Sequence, residues 1–171
     1  MRYNEIAFSK YETASSPRPR SRSKRPYWTK LRIKGSAPFT VGDKSSRASS
    51  ERPVIASVYY NRLDPVHVEE TALRLSSDPT IQYAKGYDPA TDNWWNPMLP
   101  GEGQTVESPY NTFKVQGLPP GPICSPGLAS ILAVLNPADT DYLYFHAIGD
   151  GSHVFASTLE EHLQNQEQYA P

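Results

Sequence analysis

The sequence predicts an α+β fold: a small mixed domain in which helices pack on a short antiparallel sheet, preceded by a disordered basic arm. The first observation is a break in charge, since residues 1–50 hold 12 of the 17 Lys and Arg but three of the 18 Asp and Glu. Residues 1–50 therefore carry a net charge of +9 and the remainder −10. After residue 50, apolar residues recur at helical spacing, and two β-prone runs flank the turn sequence GDGS. These patterns place the folded domain at residues 49–171.

The arm, residues 1–48, is centred on SSPRPRSRSKRP and has no sustained apolar period. A segment this rich in Ser, Pro and Arg buries too little apolar surface to offset its conformational entropy, so we expect it to be disordered. Its clustered cations would also suit a tether to nucleic acid or anionic lipid. We expect no specific nucleic-acid recognition, because nothing after residue 50 supplies a basic binding face.

The first helix is predicted over residues 49–63, SSERPVIASVYYNRL. A serine would cap it, and Glu51 would stabilise its first turn through the helix dipole. Asn61 and Arg62 would bond the carbonyls at its C-terminus. Its apolar residues are spaced to form one face: Val54, Ile55, Val58, Tyr59 and Leu63.

A short strand is predicted at residues 73–75, where Leu73 and Leu75 flank a polar residue. Ser77, Asp78 and Pro79 then form a turn that leads into the helical segment TIQYAKG. The polar, aromatic insertion at residues 86–109 carries no pattern that predicts an element.

Residues 108–131 form a Pro- and Gly-dense loop, SPYNTFKVQGLPPGPICSPGLASI. Each Pro fixes φ and each Gly permits close backbone approach, so the segment should be stiff. Two interpretations stay open, the wall of a binding groove and a rigid connector.

A helix is predicted at the end of this loop, over residues 126–135, and Pro137 should end it. Its apolar period runs through Leu128, Ile131, Leu132 and Leu135. The runs DYLYFHAI and HVFAST then predict two antiparallel strands joined by a hairpin turn at GDGS. The tail predicts a C-terminal helix with a capping box, formed by Ser157 or Thr158 and Glu160 or Glu161.

Several kinds of site are not expected. Cys124 is the single cysteine, which rules out an internal disulfide and a cysteine-based zinc cluster. His146, His153 and His162 lack the HExxH spacing, and we expect no metal site and no cofactor. No apolar run approaches the ~20 residues that span a bilayer, and no signal peptide is visible, so we expect no membrane anchor in this sequence.

Four blocks occur in order after residue 49: ERPVIASVYYNRL, RLSSDPTIQYAKG, SPYNTFKVQGLPPGPICSPGLASI and NPADTDYLYFHAIGDGSHVFASTLEEH. Over residues 49–165 they resemble the YceG-like family of endolytic murein transglycosylases (MltG). The resemblance implies a lyase at the outer face of the bacterial inner membrane, which cuts nascent peptidoglycan glycan strands and leaves 1,6-anhydro-muramic ends. Glycan strands and cell-wall synthases are the implied partners. Family members usually begin with a cytoplasmic N-terminus, a transmembrane helix and a LysM-like module, and we expect none of these three here.

The family's catalytic glutamate lies in a segment resembling ASIVEKE, shortly before the block that begins at Glu51. It protonates the glycosidic oxygen and then accepts the proton of the sugar's own C6 hydroxyl, which attacks the anomeric carbon. In this chain Asp43 falls at or near that position, within FTVGDKSSRASSERP. Asp is one methylene shorter, and a misplacement of about 1 Å can cost on the order of 100-fold in rate. We therefore expect a truncated or impaired enzyme.

The loss of resemblance before residue 49 has two explanations. Residues 1–48 are either an out-of-frame translation upstream of a true catalytic domain or a diverged, genuine arm. Three functions follow: an active transglycosylase that uses Asp43 as a weak acid, a catalytically inactive peptidoglycan-binding remnant, and a basic nucleic-acid adaptor that uses the arm.

The resemblance also implies a substrate cleft. Asn111 would hold a sugar through paired donor and acceptor contacts. Asp78 would be either a cleft residue or a helix cap. Residues 117–122 would shape the cleft through their backbone. The implied substrate-binding residues are Asp78, Thr80, Tyr110, Asn111, Thr112, Gly117, Pro119, Gly121 and His153.

Overall fold

The structure is a computed structural model that describes residues 50–169. The arm at residues 1–48 and Asp43 lie outside the described residues. Within this part of the chain the fold is α+β, as predicted, with six α-helices and one two-stranded antiparallel sheet. In chain order the elements are α1 (Arg52–Arg62), a 3-10 turn (Pro65–His67), α2 (Val68–Thr71), α3 (Asp78–Lys85), α4 (Glu102–Thr105), α5 (Leu128–Leu135), β1 (Tyr144–Ala147), β2 (His153–Ala156) and α6 (Leu159–Gln168).

Helix α1 supplies the centre of the core. Ile55, Val58 and Tyr59 are buried, in agreement with their predicted face. Ile55 and Tyr59 cluster with Leu75, which precedes α3, and with Ile123, which belongs to the loop before α5. Helix α1 therefore joins two other segments of the chain, those around Leu75 and Ile123, through apolar burial.

Both ends of α1 differ from the prediction. The N-cap residue is Glu51 rather than a serine, and its side chain makes no capping hydrogen bond. At the other end, Asn61 and Arg62 do not bond the carbonyls of their own helix. Asn61 Nδ2 donates to the carbonyl of Thr140 at 2.7 Å, and Arg62 donates to the carbonyls of Arg74 and Leu143 at 2.9 and 3.0 Å. These two side chains join α1 to distant segments instead of closing it.

The strand predicted at residues 73–75 was wrong. Ala72, Leu73 and Ser76 have φ of 50°, 57° and 48°, values that turn the chain and prevent an extended ladder. Arg74 makes one isolated bridge to Gly117, and the Gly117 amide donates to the Leu73 carbonyl at 2.7 Å. This bridge helps to hold the 108–131 loop against the segment before α3, together with the hydrogen bond from the Ser76 amide to the Thr112 carbonyl at 3.1 Å.

Helix α5 ends before Pro137 as predicted, but its leucine face points outward. Leu128 and Leu132 are 71% and 50% exposed, whereas Ser130, Ala133 and Val134 are buried. The buried side faces α1, where the Tyr60 hydroxyl donates to the Val134 carbonyl at 3.0 Å. Small side chains on this side let the two helices approach closely.

The hairpin and the last helix agree with the sequence. Tyr144 of β1 pairs with Ala156 of β2, and the Ile148 amide donates to the Ser152 carbonyl across the turn at 3.1 Å. Thr158 caps α6 and forms the predicted capping box with Glu161. Helix α6 packs on the sheet, where the ring of His162 stacks on Tyr144 with centroids 5.0 Å apart.

The insertion at residues 86–109 contains a tight turn and the short helix α4. The main chains of Asp88 and Asn93 pair in both directions, at 2.9 and 3.3 Å. No helix within residues 50–169 is long and apolar enough to cross a membrane.

Candidate active site

Glu51 and His153 form a close carboxylate–imidazole pair at the junction of α1 and the hairpin. The Glu51 carboxylate lies 2.8 Å from His153 Nδ1, and it also accepts a hydrogen bond from the His153 amide at 3.2 Å. A carboxylate can only accept, so this contact places a proton on Nδ1. The side chains are 19% and 8% exposed, which makes the pair largely protected from solvent.

Aromatic packing fixes the position of this pair. The ring of His153 meets Phe145 edge to face at 5.5 Å, and Phe145 meets Tyr59 in the same way at 5.9 Å. Tyr59 lies on the buried face of α1. The first residue of β2 and the residue before α1 are thus held against one aromatic core.

A second group of predicted residues is joined by hydrogen bonds around the start of α3. The Thr112 hydroxyl lies 2.8 Å from that of Thr80 and accepts from the Ser77 amide at 3.1 Å. The Tyr59 hydroxyl lies 3.0 Å from Ser77 Oγ, so Tyr59 connects this group to the aromatic core behind His153. Thr80 and Thr112 are both fully buried. Both side chains therefore offer no surface to a ligand in this conformation.

Asn111 has the same internal character. Its side chain is fully buried, and Nδ2 donates to the carbonyls of Gly103 and Val106 at 3.1 and 2.7 Å. Its Oδ1 accepts from the Phe113 amide at 2.9 Å. These bonds connect α4 to the 108–131 loop. The amide donors and the carbonyl acceptor of the Asn111 side chain, which were expected to hold a sugar, are therefore bonded to main-chain groups of the protein.

Asp78 is exposed and is the first residue of α3, while the N-cap position belongs to Ser77. The interpretation of Asp78 as a cap was therefore wrong. Neighbouring protein displaces part of the water around the carboxyl, and this desolvation raises the pKa of Asp78. A solvent-accessible carboxyl with a raised pKa is a candidate for a binding or proton-exchanging role.

Apolar side chains of the 108–131 loop also pack against the rest of the domain. Ile123 and Pro119 are buried, and Leu118 packs against the core. Gly117 has φ of 82°, a value that favours glycine, and a Cβ at Gly121 would lie 3.2 Å from the Tyr110 hydroxyl. The two ends of the 110–121 stretch therefore lie close together.

Metal ligation has no support in the described part of the chain. Within residues 50–169 no group of three or more His, Cys, Asp or Glu side chains could hold an ion. His146 and His162 lie close, with ring centroids 6.3 Å apart. Burial, the nearby His146 and the charge of Arg62 lower the pKa of His162.

The structure thus brings most predicted residues into one connected region and reveals one pair that the sequence missed. Glu51 was expected to stabilise its own helix, but it bonds a residue 102 positions away. No local pattern marks this pairing, because each residue lies in an ordinary helix or strand context.

Comparison with known proteins identifies the family of the chain. The model of the YceG-like family matches residues 43–168. The chain belongs to the YceG-like family. The match of this YceG-like chain includes both members of the Glu51–His153 pair and begins at Asp43.

The YceG-like chain has relatives among characterised bacterial proteins. An endolytic murein transglycosylase of Bacillus subtilis (strain 168) is 39% identical over 127 residues, which cover 74% of this chain and 32% of that protein. The protein of the same name from Streptococcus pneumoniae serotype 2 is 32% identical over 133 residues, covering 72% of this chain and 21% of that protein. The chain therefore spans a third or less of the curated relatives' lengths.

A solved structure gives the same assignment. The crystal structure of a YceG-like protein from Listeria monocytogenes superimposes with a TM-score of 0.65 at 38% sequence identity. The superposition covers 80% of this YceG-like chain and 42% of the other chain.

Proposed function

We propose that this chain is the catalytic part of a peptidoglycan lytic transglycosylase that cleaves murein glycan strands internally and leaves 1,6-anhydro-muramic ends. The observation that carries the proposal is the family match over residues 43–168, together with relatives named endolytic murein transglycosylase. The proposed place of action is the bacterial cell envelope at the outer face of the inner membrane. Its proposed partners are glycan strands and cell-wall synthases.

The proposed reaction needs one carboxyl group in two successive roles. The carboxylic acid of Asp43 gives its proton to the glycosidic oxygen while the bond from that oxygen to the anomeric carbon breaks. The sugar's C6 hydroxyl oxygen then bonds the anomeric carbon, and its proton passes to the carboxylate, which restores the acid. Because the substrate supplies the nucleophile, a second catalytic carboxylate is not required.

In this scheme the Glu51–His153 pair positions the chain that carries the acid. Asp43 precedes Glu51 by eight residues. The pair holds the entry of α1 against the hairpin through two contacts, at 2.8 and 3.2 Å. Proton transfer depends on the placement of the acid, so the proposed role of the pair is to fix the start of the described chain that follows Asp43.

The proposed cleft divides its residues into two roles. Asp78, Tyr110, His153 and the backbone between Gly117 and Gly121 are the groups assigned to contact with sugar. Thr80, Asn111, Thr112 and Pro119 are buried, and we assign them to positioning of that surface.

An inactive peptidoglycan-binding remnant is the second candidate. The Asp at position 43, one methylene shorter than the glutamate of the family motif, favours it. Binding would persist in such a protein because the residues assigned to sugar contact lie after residue 50.

The test is incubation of the purified chain with peptidoglycan strands, with mass spectrometry of the products. We expect anhydro-ended fragments at a low rate, none from Asp43→Asn, and a higher rate from Asp43→Glu. Asp139→Asn, an exposed carboxyl outside the proposed cleft, should cleave as the parent does. Glycan binding without anhydro products in the parent and in Asp43→Glu would instead assign the remnant function.

A further inference from the structure

The insertion between α3 and α4 carries an aromatic surface that the proposed reaction does not use. Tyr83 of α3 lies 4.8 Å from Tyr110 and 6.5 Å from Trp95, measured between ring centroids. Tyr87 lies 5.4 Å from Trp94. Because Trp94 and Trp95 are consecutive, the two ring clusters are neighbours. We define the aromatic surface as Tyr83, Tyr87, Trp94, Trp95 and Tyr110.

These rings are exposed to an extent that core packing does not explain. Trp94 is 61% exposed, Tyr87 44% and Tyr83 39%. Large aromatic side chains usually bury most of their area, and several exposed together mark a binding surface more often than a scaffold.

The loop beneath the rings is built to hold them in place. The Asp88 carboxylate accepts from the Ala90 amide at 2.9 Å, from Thr91 Oγ1 at 3.1 Å and from Asn96 Nδ2 at 3.0 Å. The Tyr87 hydroxyl donates to Asp92 at 2.7 Å. Hydrogen bonds thus order this loop without an apolar core beneath it, and the indole of Trp94 remains exposed to solvent.

A second set of bonds fixes the far end of the insertion. Lys85, the last residue of α3, pairs with Glu102 of α4 at 2.9 Å and donates to the Pro97 carbonyl at 3.3 Å. The Glu102 carboxylate also accepts from the Leu99 amide at 2.7 Å. A preorganised surface loses little conformational freedom when a ligand binds, which favours affinity.

We propose that the aromatic surface is a sugar-binding subsite that stacks pyranose rings of the glycan strand beyond the bond that is cut. This inference rests on the proposed function. A pyranose presents an apolar C–H face that matches the face of an aromatic ring, while its hydroxyls remain in water. Continuity supports the glycan as the occupant: Tyr110, assigned to the cleft, is in ring contact with Tyr83, which leads to Trp95.

The two ring clusters give the subsite a direction. One cluster, Tyr110 with Tyr83 and Trp95, includes a residue of the 108–131 loop, since Tyr110 belongs to that loop and lies close to its Gly121. The other, Tyr87 with Trp94, lies farther along the insertion. A strand that follows both clusters is held over more than one sugar, so the subsite selects long strands over short oligosaccharides.

The test measures binding of the full chain to peptide-free glycan strands, prepared from peptidoglycan with an amidase, by isothermal titration calorimetry. We expect Trp94→Ala and Tyr87→Ala each to weaken binding by about tenfold, from the loss of one stacking ring. Trp94→Phe keeps a ring and should stay within about threefold of the parent. Leu128→Ala, which removes a residue of similar exposure on α5, should bind as the parent does.

Tryptophan fluorescence gives a second readout. The chain has three tryptophans, and Trp28→Phe leaves Trp94 and Trp95 as the emitters. Glycan strands should shift and quench this emission, and the change should fall when Trp94→Ala is added. An emission spectrum that the strands leave unchanged would count against the subsite.

The outcomes separate the subsite from the proposed function. Parent and Trp94→Ala proteins that bind and cleave equally well overturn the subsite and leave the transglycosylase proposal intact. A parent that neither binds nor cleaves strands overturns the proposed function and the subsite with it. Trp94-dependent binding to anionic lipid vesicles, without binding to glycan, also overturns the subsite and assigns the rings to a membrane surface.

Discussion

Glu51 and His153 are 102 residues apart in sequence, yet the carboxylate of one lies 2.8 Å from Nδ1 of the other. The first residue stands at the entry of α1 and the second begins β2. The pair therefore closes the domain by joining its first described helix to its hairpin. The Glu51 carboxylate also accepts from Nδ1 of a largely buried imidazole and so fixes the tautomer of that ring.

Removal of the Glu51 carboxylate should destabilise the domain. Glu51→Ala leaves the His153 ring and amide without their acceptor, and we expect a loss of about 1–3 kcal/mol in the free energy of unfolding. Urea denaturation measures it. The matched control is Glu107→Ala, because Glu107 also pairs with a basic side chain, Lys114, but its own side chain is 83% exposed. The control should change stability by about 0.5 kcal/mol or less, and equal losses in the two variants would contradict a structural role for the pair.

Asn111→Ala should cost more stability than any exposed asparagine. The substitution removes three hydrogen bonds to main-chain groups and leaves two carbonyls and one amide without partners. We expect a loss of about 3 kcal/mol, seen as a lower urea midpoint. Asn136→Ala, which removes one exposed bond to the Leu132 carbonyl, should cost about 0.5 kcal/mol or less. An unchanged midpoint in Asn111→Ala would mean that these bonds do not hold the loop.

Truncation of a side chain should lower the free energy of unfolding on the buried face of α5 and leave it almost unchanged on the exposed face. Val134 is 8% exposed against α1, and Val134→Ala should lower the free energy of unfolding by about 2 kcal/mol through lost burial and a small cavity. Leu128 is 71% exposed, so Leu128→Ala should change it by about 0.5 kcal/mol or less, although the side chain is larger. Thermal and urea unfolding of both variants provide the comparison. A larger loss of unfolding free energy in Leu128→Ala than in Val134→Ala would instead indicate that the leucine face of α5 is the buried one.

His162 should make stability depend on mildly acidic pH. Burial, the nearby His146 of β1 and the charge of Arg62 of α1 hold the pKa of His162 below its ordinary value. The unfolded chain then binds more protons in this range, so the contribution is present above about pH 6.5 and is lost as the pH falls through the folded pKa. In urea titrations, His162→Gln should show a smaller drop in midpoint between pH 7.5 and pH 5. The same drop in both proteins would exclude His162 as its cause.

Local patterns determined much of the secondary structure. The buried face of α1 follows from Ile55, Val58 and Tyr59, and the cap of α6 follows from Thr158 and Glu161. The hairpin at GDGS follows from the turn residues between two β-prone runs. Such features depend on neighbours within about four positions, which the sequence displays directly. The four blocks also identified the family, which the match over residues 43–168 confirms.

Other features were decided by the tertiary structure. Left-handed φ values at Ala72 and Leu73 replaced a predicted strand, because that turn brings Arg74 to Gly117. The close approach of α1 selected the small side of α5 and left its leucines outside. The Glu51–His153 pair and the ring contacts of Tyr83 join segments that the chain order separates. The sequence by itself determined most of the elements, the buried face of α1 and the family. The buried side of α5 and the Glu51–His153 pair depended on which segments pack together, since these contacts have no signature within a few residues of either partner.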